Sequence, residues 1–449
     1  MPDSDDSSID LRGIVPVASR IAADAASVVQ ATRVRKTVVR LGISVAFLAY
    51  VDRASISQAA PNIMRDLGLS KLQMGYVFSA FGLAYAALEL PSGWLCDRIG
   101  ARKVLTRVVL FWSVLTAATG LAWSYLSMLI IRLFFGAGES GCFPSLAKIF
   151  SEWLPAEERA IAEGWKAAMA RWGGAFAPYL VVSLYAFMGW RQTFVVFGAV
   201  GLIWCAIFYS FFRDHPRQHS GVNSAELAII EQNRRQRVIN TSGAPLRRFA
   251  RSTSAWALCW QWFCHNYGTY FYLTWLPIYL QQARGMNLKA SAVLAGMPLL
   301  FAGFGTLAGG AVARRVSQAI GRTRARKGIA YASYGMAAAL LLVFTVIRNP
   351  TLAVVVMSLS SFAVEFSTPV TWITAVDLGG DAVGTLTGAM QSLGQIGASA
   401  APALIGYVLT VTRNDWTLTF YISAAIYSLG IAFWSVIDPI RRLDGVEAA

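Results

Sequence analysis

Residues 93–103 read Gly93-Trp94-Leu95-Cys96-Asp97-Arg98-Ile99-Gly100-Ala101-Arg102-Lys103. An apolar run of helix length lies on each side, at about 74–96 and 102–123. Between two such helices this is the composition of a tight hairpin at a membrane surface. Gly93 lets neighbouring helices approach closely, Asp97 caps or pairs, Gly100 makes the turn, and Arg98, Arg102 and Lys103 reach the lipid headgroups.

Outward from this hairpin the pattern repeats. Runs of about 20 mostly apolar residues lie near 37–60, 74–96, 102–123, 125–146, 162–188, 191–212, 255–281, 289–312, 328–347, 350–372, 383–409 and 416–437. The composition agrees, with 56% of residues hydrophobic and 14% charged, against about one quarter charged in soluble domains. The expected fold is an all-α integral membrane protein of twelve transmembrane helices in two six-helix halves. The polar, Arg-rich stretch 213–254 divides six runs (37–212) from six runs (255–437). It reads as a cytoplasmic linker, with cytoplasmic tails at 1–36 and 438–449. The first tail opens on an acidic cluster and lacks the apolar core of a signal peptide.

The net charge of +15 is explained by position. With the N-terminus inside, 26 of the 39 Lys and Arg residues fall in the tails and cytoplasmic connections. That is the positive-inside asymmetry, and it places both termini in the cytoplasm of a multi-pass inner-membrane protein. The basic segments then face the lipid bilayer rather than nucleic acid. The five cysteines (Cys96, Cys142, Cys205, Cys259, Cys264) sit in or beside apolar runs without metal spacing, so they read as packing residues. No metal site or cofactor is expected.

Charges inside the runs are the candidate functional residues, because each costs about 2.5–3.5 kcal/mol at the bilayer centre. Asp52 and Arg53 lie in the first run, Glu89 in the second, Arg132 and Glu139 in the fourth, Lys166 and Arg171 in the fifth, and Glu365 in the tenth. Lys166 is close enough to the run's end to snorkel. By depth, Asp52, Arg53 and Glu139 are the most central. A guanidinium offers a planar fork for a carboxylate, which suits Arg53 to an organic anion. Burial favours the neutral form of a carboxylate, which suits Asp52 and Glu139 to proton uptake. The structural alternative is a set of ion pairs holding helices in register, for example Asp52 with Arg171. Tyr270, deep in the seventh run, is suited to a central cavity, and His265 to a packed, hydrogen-bonded role. Pro144, Pro178, Pro277, Pro298, Pro369 and Pro402 should bend their helices.

The 93–103 stretch closely resembles the signature loop GxxxDRxGxRK of the major facilitator superfamily, in which that loop is a gate latch. The resemblance implies gating roles for Gly93, Asp97, Arg98, Gly100, Arg102 and Lys103. The equivalent stretch of the second half, from Gly309 to Arg322, lacks the acidic residue. Arg132 in Arg132-Leu133-Phe134-Phe135-Gly136 also resembles a fourth-helix motif tied to proton coupling. Tyr50-Val51-Asp52-Arg53, Gly136-Ala137-Gly138-Glu139-Ser140, the stretch from Tyr270 to Pro277, and Thr371-Trp372 with Asp377 resemble the anion:cation symporter family. That family carries hexuronates, aldonates, glucarate, tartrate and phthalate with protons. A monomer driven by the proton gradient is expected, with Tyr50, Arg171, Tyr270, Trp372 and Gln391 as further candidates at the substrate beside Arg53, whose binding of the substrate carboxylate the resemblance implies. It implies proton coupling by Asp52, Glu139 and Arg132. Two departures from the family are Arg171 within Met169-Ala170-Arg171-Trp172 and the glutamines Gln391 and Gln395. A second cation at Arg171 suits a dicarboxylate or a bulkier anion. The rival on the same fold, a proton-coupled exporter, fits poorly with Arg171-Trp172-Gly173-Gly174-Ala175-Phe176-Ala177-Pro178. An embedded enzyme would need a catalytic constellation, and none is legible.

Overall fold

The computed structural model describes residues 30–439 except 186, 232–248 and 381–382. The expected N-terminal tail up to residue 29, the middle of the linker and the tail beyond 439 lie outside the described residues. The chain forms α1 (Val34–Leu67), α2 (Lys71–Ile99), α3 (Ala101–Thr119), α4 (Tyr125–Glu139), α5 (Cys142–Trp153), α6 (Ala156–Tyr185) and α7 (Trp190–Phe211). After the short linker helix α8 (Ser224–Glu231) come α9 (Thr253–Thr274), α10 (Leu276–Gln282), α11 (Leu288–Ile320), α12 (Arg322–Val346), α13 (Pro350–Phe366), α14 (Thr368–Gly379), α15 (Val383–Val411) and α16 (Trp416–Val436). No strand occurs among the described residues.

Helix covers every one of the twelve expected runs. Among the described residues, seven helices are long and apolar enough to cross a membrane by length and composition alone. Several of the others carry the charges and aromatic hydroxyls that build the site, which lowers their mean hydropathy.

Three runs expected as single spans are broken. The fourth divides into α4 and α5 at Ser140-Gly141, the seventh into α9 and α10 at Trp275, and the tenth into α13 and α14 at Ser367. Pro144, Pro277 and Pro369 each fall in the first turn of the new helix, where a missing N–H leaves no bond unmade. Pro178, Pro298 and Pro402 instead lie inside unbroken helices.

The helix pairings repeat. In the first half α1 packs on α6, α2 on α4 and α3 on α7; in the second α9 packs on α15, α11 on α13 and α12 on α16. Counted by span, each set pairs first with fifth, second with fourth and third with sixth. Two further seams join the halves, α2 with α15 and α6 with α11. Small residues make both seams close. A Cβ on Gly82 would strike the Ser399 hydroxyl, and one on Gly296 the carbonyl of Ala175. Ser79 Oγ donates to the Ser399 carbonyl at 2.6 Å across the first seam.

The second half of α1 is sealed: every residue from Val51 to Ala60 is buried, and α10 packs against this helix. At that same end Lys71 donates to Asn414 at 2.6 Å and lies over the Trp416 ring.

At the opposite end the linker helix α8 grips the start of α1. Glu226 is fully buried and accepts from the Val34 and Arg35 backbone N–H groups at 3.1 and 3.0 Å. Its carboxylate also pairs with the Arg35 guanidinium at 3.2 Å, while Glu158 takes Arg35 from the other side at 3.2 Å. These two acids hold Arg35 above its ordinary pKa, the Glu158 hydrogen bond contributing most against the opposing effect of burial. Glu226→Ala leaves Arg35 and two helix N–H groups short of a partner. It is expected to cost about 3 kcal/mol, read as a lower unfolding midpoint of the purified protein.

Candidate anion site and charge cluster

The site begins at Arg53 in the middle of α1. Its Nε donates to Glu139 Oε1 at 2.7 Å, and both side chains are buried. Four rings surround the guanidinium carbon: Tyr85 at 4.8 Å, Tyr50 at 4.9 Å, Phe81 at 5.0 Å and Phe143 at 5.6 Å. Aromatic faces are favourable neighbours for a desolvated cation. Arg53 Nη2 and Glu139 Oε2 have no hydrogen-bond partner among the described residues. A buried donor left in this state costs free energy unless a ligand meets it.

Glu139 is the last residue of α4, where the helix breaks, and Arg132 lies two turns earlier on the same face. Arg132 is stacked on Phe135 at 4.3 Å and Phe81 at 5.4 Å. Asp52 stands beside Thr116 of α3 and within electrostatic reach of both Glu139 and Arg132. Two carboxylates and two guanidinia therefore share one low-dielectric cluster in the first half, formally neutral when all four are ionised. The example pairing of Asp52 with Arg171 is corrected: Arg171 pairs with Glu365 instead.

Arg171 forms an ion pair with Glu365 of α13 at 2.5 Å. Glu365 is also within 3.5 Å of His265 Nε2, and its Oε2 accepts from Thr306 at 3.3 Å and Thr368 at 3.0 Å. His265 meets the Tyr334 hydroxyl through Nδ1 at 2.9 Å and stacks on Trp262 at 4.5 Å. It is packed and hydrogen-bonded as expected, with a carboxylate neighbour that its sequence context did not reveal.

Tyr50 and Tyr270 lie near both cations. The Arg53 and Arg171 guanidinium carbons lie 4.9 and 5.8 Å from the Tyr50 ring centroid. Tyr270 is within electrostatic reach of both, and its hydroxyl has no hydrogen-bond partner among the described residues. Trp372 and Gln391 gather around Trp262 instead. Trp372 meets it edge-on at 5.7 Å, and Gln391 Oε1 accepts from its indole N–H at 2.8 Å. They touch the Arg171 side of the site through Trp262 and His265. Lys166 lies beside Glu163 and over Phe143, and Glu89 stands near Gln391 across the α2–α15 seam.

Sequence reading missed Tyr85, Phe81 and Phe143 as walls of the Arg53 box. The trace of the first two is the four-residue spacing from 81 to 85 in α2, which puts them on one helix face.

The 93–103 stretch is the tight hairpin expected of it. Gly100 alone separates α2 from α3, at φ +90°. Of the two roles expected of Asp97, capping or pairing, the structure shows pairing: its exposed carboxylate lies 3.4 Å from Lys148. The α3 N-terminus is capped instead by Asp214 of the linker, which accepts from the Arg102 N–H at 2.8 Å. Arg102 also donates to the Tyr209 carbonyl at 2.6 Å, and Arg98 lies over Trp94 at 4.2 Å. Gly93 faces Pro144 of α5, and Lys103 is exposed. Among the described residues no group of three or more His, Cys, Asp or Glu side chains is arranged to hold a metal ion.

Comparison with known proteins agrees with this architecture. The family model described as Major Facilitator Superfamily matches residues 42–402. Probable sulfoacetate transporter SauU of Cupriavidus necator is 36% identical over 404 residues, covering 89% of this chain and 93% of that one. Probable galactarate/D-glucarate transporter GarP of Escherichia coli K12 is 30% identical, covering 88% and 93%. The hexuronate transporter of Bacillus subtilis is 29% identical, covering 87% and 90%. Among solved structures, a bacterial homologue of the human lysosomal transporter Spinster, inward-facing and occupied, aligns with a TM-score of 0.69 at 18% identity. That alignment covers 90% of this chain and 97% of that one, a likeness of fold. The chain belongs to the Major Facilitator Superfamily, a family of multi-pass membrane transporters rather than enzymes.

Proposed function

We propose that the protein imports a small organic anion with protons across the bacterial inner membrane, as a monomer with both termini in the cytoplasm. The observation that carries the reading is Arg53: a buried guanidinium, boxed by four rings, neutralised by Glu139 and left with a free Nη2. Protonation of Glu139 removes the internal counter-ion and leaves Arg53 to bind an external carboxylate or sulfonate through its planar fork. Asp52 balances Arg132 and offers the proton a second carboxylate a short distance away. Loading the site thus requires both a proton and an anion, the minimum for symport. The names of the relatives, which are transporters of sulfoacetate, galactarate or D-glucarate, and hexuronate, support an organic anion as cargo.

Transport is by alternating access between the two bundles, a reading supported by the close small-residue α2–α15 and α6–α11 seams, with the hairpin at 93–103 as a gate latch. The sealed end, where α10 packs on α1 and Lys71 reaches Asn414, supports an inward-open arrangement. The test is transport current in proteoliposomes under an inward proton gradient, across sugar acids, dicarboxylates and sulfonated carboxylates. A labelled-uptake arm covers electroneutral coupling. Gradient-dependent uptake of one panel member is expected. Uptake indifferent to the gradient, or efflux driven by it, would overturn the symport reading.

A further inference from the structure

Building on the anion reading of Arg53, we propose that Arg171 is a second acid-binding subsite, so that the preferred cargo carries two acidic groups, one for each guanidinium. The same arrangement occurs twice around the cavity tyrosines. Arg53 is held by Glu139 and Arg171 by Glu365, and each guanidinium lies near the one Tyr50 ring. The two charges are therefore separated by no more than the sum of their distances to that ring, within the span of a short diacid. Tyr270 lies close to both and has an unused hydroxyl.

Two features make Arg171 a binder rather than a fixed strut. Its side chain is 15% exposed, against 3% for Arg53, so it is the less sealed of the two guanidinia. Its partner is also provided for without it. Glu365 keeps His265, Thr306 and Thr368, all on helices of its own half, when Arg171 turns to a ligand. Breaking the ion pair therefore leaves Glu365 Oε2 hydrogen-bonded and only Oε1 short of a partner, which lowers the usual penalty for opening a buried pair. Because Arg171 comes from α6 and Glu365 from α13, the exchange of partner also takes place across the boundary between halves.

The test uses matched ligands that differ only in whether one end is an acid: D-glucarate against D-gluconate, and sulfoacetate against 2-hydroxyethanesulfonate. Binding to purified full-length protein and counterflow in proteoliposomes are measured for wild type, Arg171→Gln, Glu365→Gln and the double variant, with Arg53→Ala as reference. Wild type is expected to prefer the diacid of at least one pair by about tenfold or more. Arg171→Gln should erase that preference, lowering diacid affinity by about tenfold or more and monoacid affinity by distinctly less. Glu365→Gln should keep or strengthen diacid binding, since it frees Arg171, whereas a strut would weaken both ligands. The double variant, which buries no unpaired charge, carries the same reading if Arg171→Gln fails to fold. Equal loss of both ligands in the variants, or equal binding of both by wild type, would overturn the subsite and leave the Arg53 reading intact. Wild type that binds neither member of either pair would overturn both.

Discussion

Replacing Arg53 by alanine is expected to reduce anion uptake by about 100-fold or more. The substitution removes the one guanidinium enclosed by Tyr50, Phe81, Tyr85 and Phe143. Truncating one side of a desolvated, hydrogen-bonded charge pair costs about 2–5 kcal/mol, and each 1.4 kcal/mol is about tenfold in affinity. The measurement is labelled uptake into proteoliposomes, normalised to protein shown to be monodisperse and folded. Arg53→Ala also strands Glu139 without its partner, so two companions separate binding from folding. Arg53→Lys keeps the charge but loses the planar fork and should retain an intermediate activity, down by about tenfold. Arg53→Ala with Glu139→Gln leaves no unpaired carboxylate at the box and should still be inactive. Wild-type uptake by any folded variant lacking Arg53 would overturn its role.

The second large effect is expected at Glu139. Glutamine has nearly the same shape and its carbonyl oxygen still accepts from Arg53 Nε, but it neither gains nor loses a proton near neutral pH. Glu139→Gln should therefore keep exchange of labelled for unlabelled anion across the membrane, within about tenfold of wild type. Accumulation above equilibrium under an inward proton gradient should be lost. The two assays share every step except net proton movement, so their divergence isolates coupling. Full gradient-driven accumulation by the variant would place the coupling proton elsewhere, with Asp52 the next carboxylate to substitute. Equal loss in both assays would mean that Glu139 acts in folding or binding.

The position of these residues was legible because depth in a membrane can be counted along a chain. A run of about 20 apolar residues fixes which positions are central, and a charge there is conspicuous. That argument found Asp52, Arg53 and Glu139, and the structure gathers all three with Arg132. It offered Arg171 only Asp52 as an example partner and Glu365 none, because the true link runs between α6 and α13, far apart in the chain. Sequence spacing reports neighbours on one helix and is silent about which helices touch. The helix breaks were hidden for a related reason. Hydropathy continues across Ser140-Gly141, Trp275 and Ser367, and only the prolines just beyond them mark the new first turns. From its place in the hairpin Asp97 could cap or pair, and it pairs with Lys148. The cap comes from Asp214, more than a hundred residues away in the chain.

By itself the sequence determined the membrane class, the helical runs, the hairpin at Gly93–Lys103, and the few charges whose burial demands a reason. Each is a local property: apolar run length, a glycine at a turn, a titratable group at a countable depth. Only the tertiary structure decided that Arg53 meets Glu139, that Arg171 meets Glu365, and that Tyr50 lies near both cations. Those pairings depend on how helices far apart in the chain pack side by side. A buried charge must find its partner in space, and its neighbours in sequence do not say where that partner is.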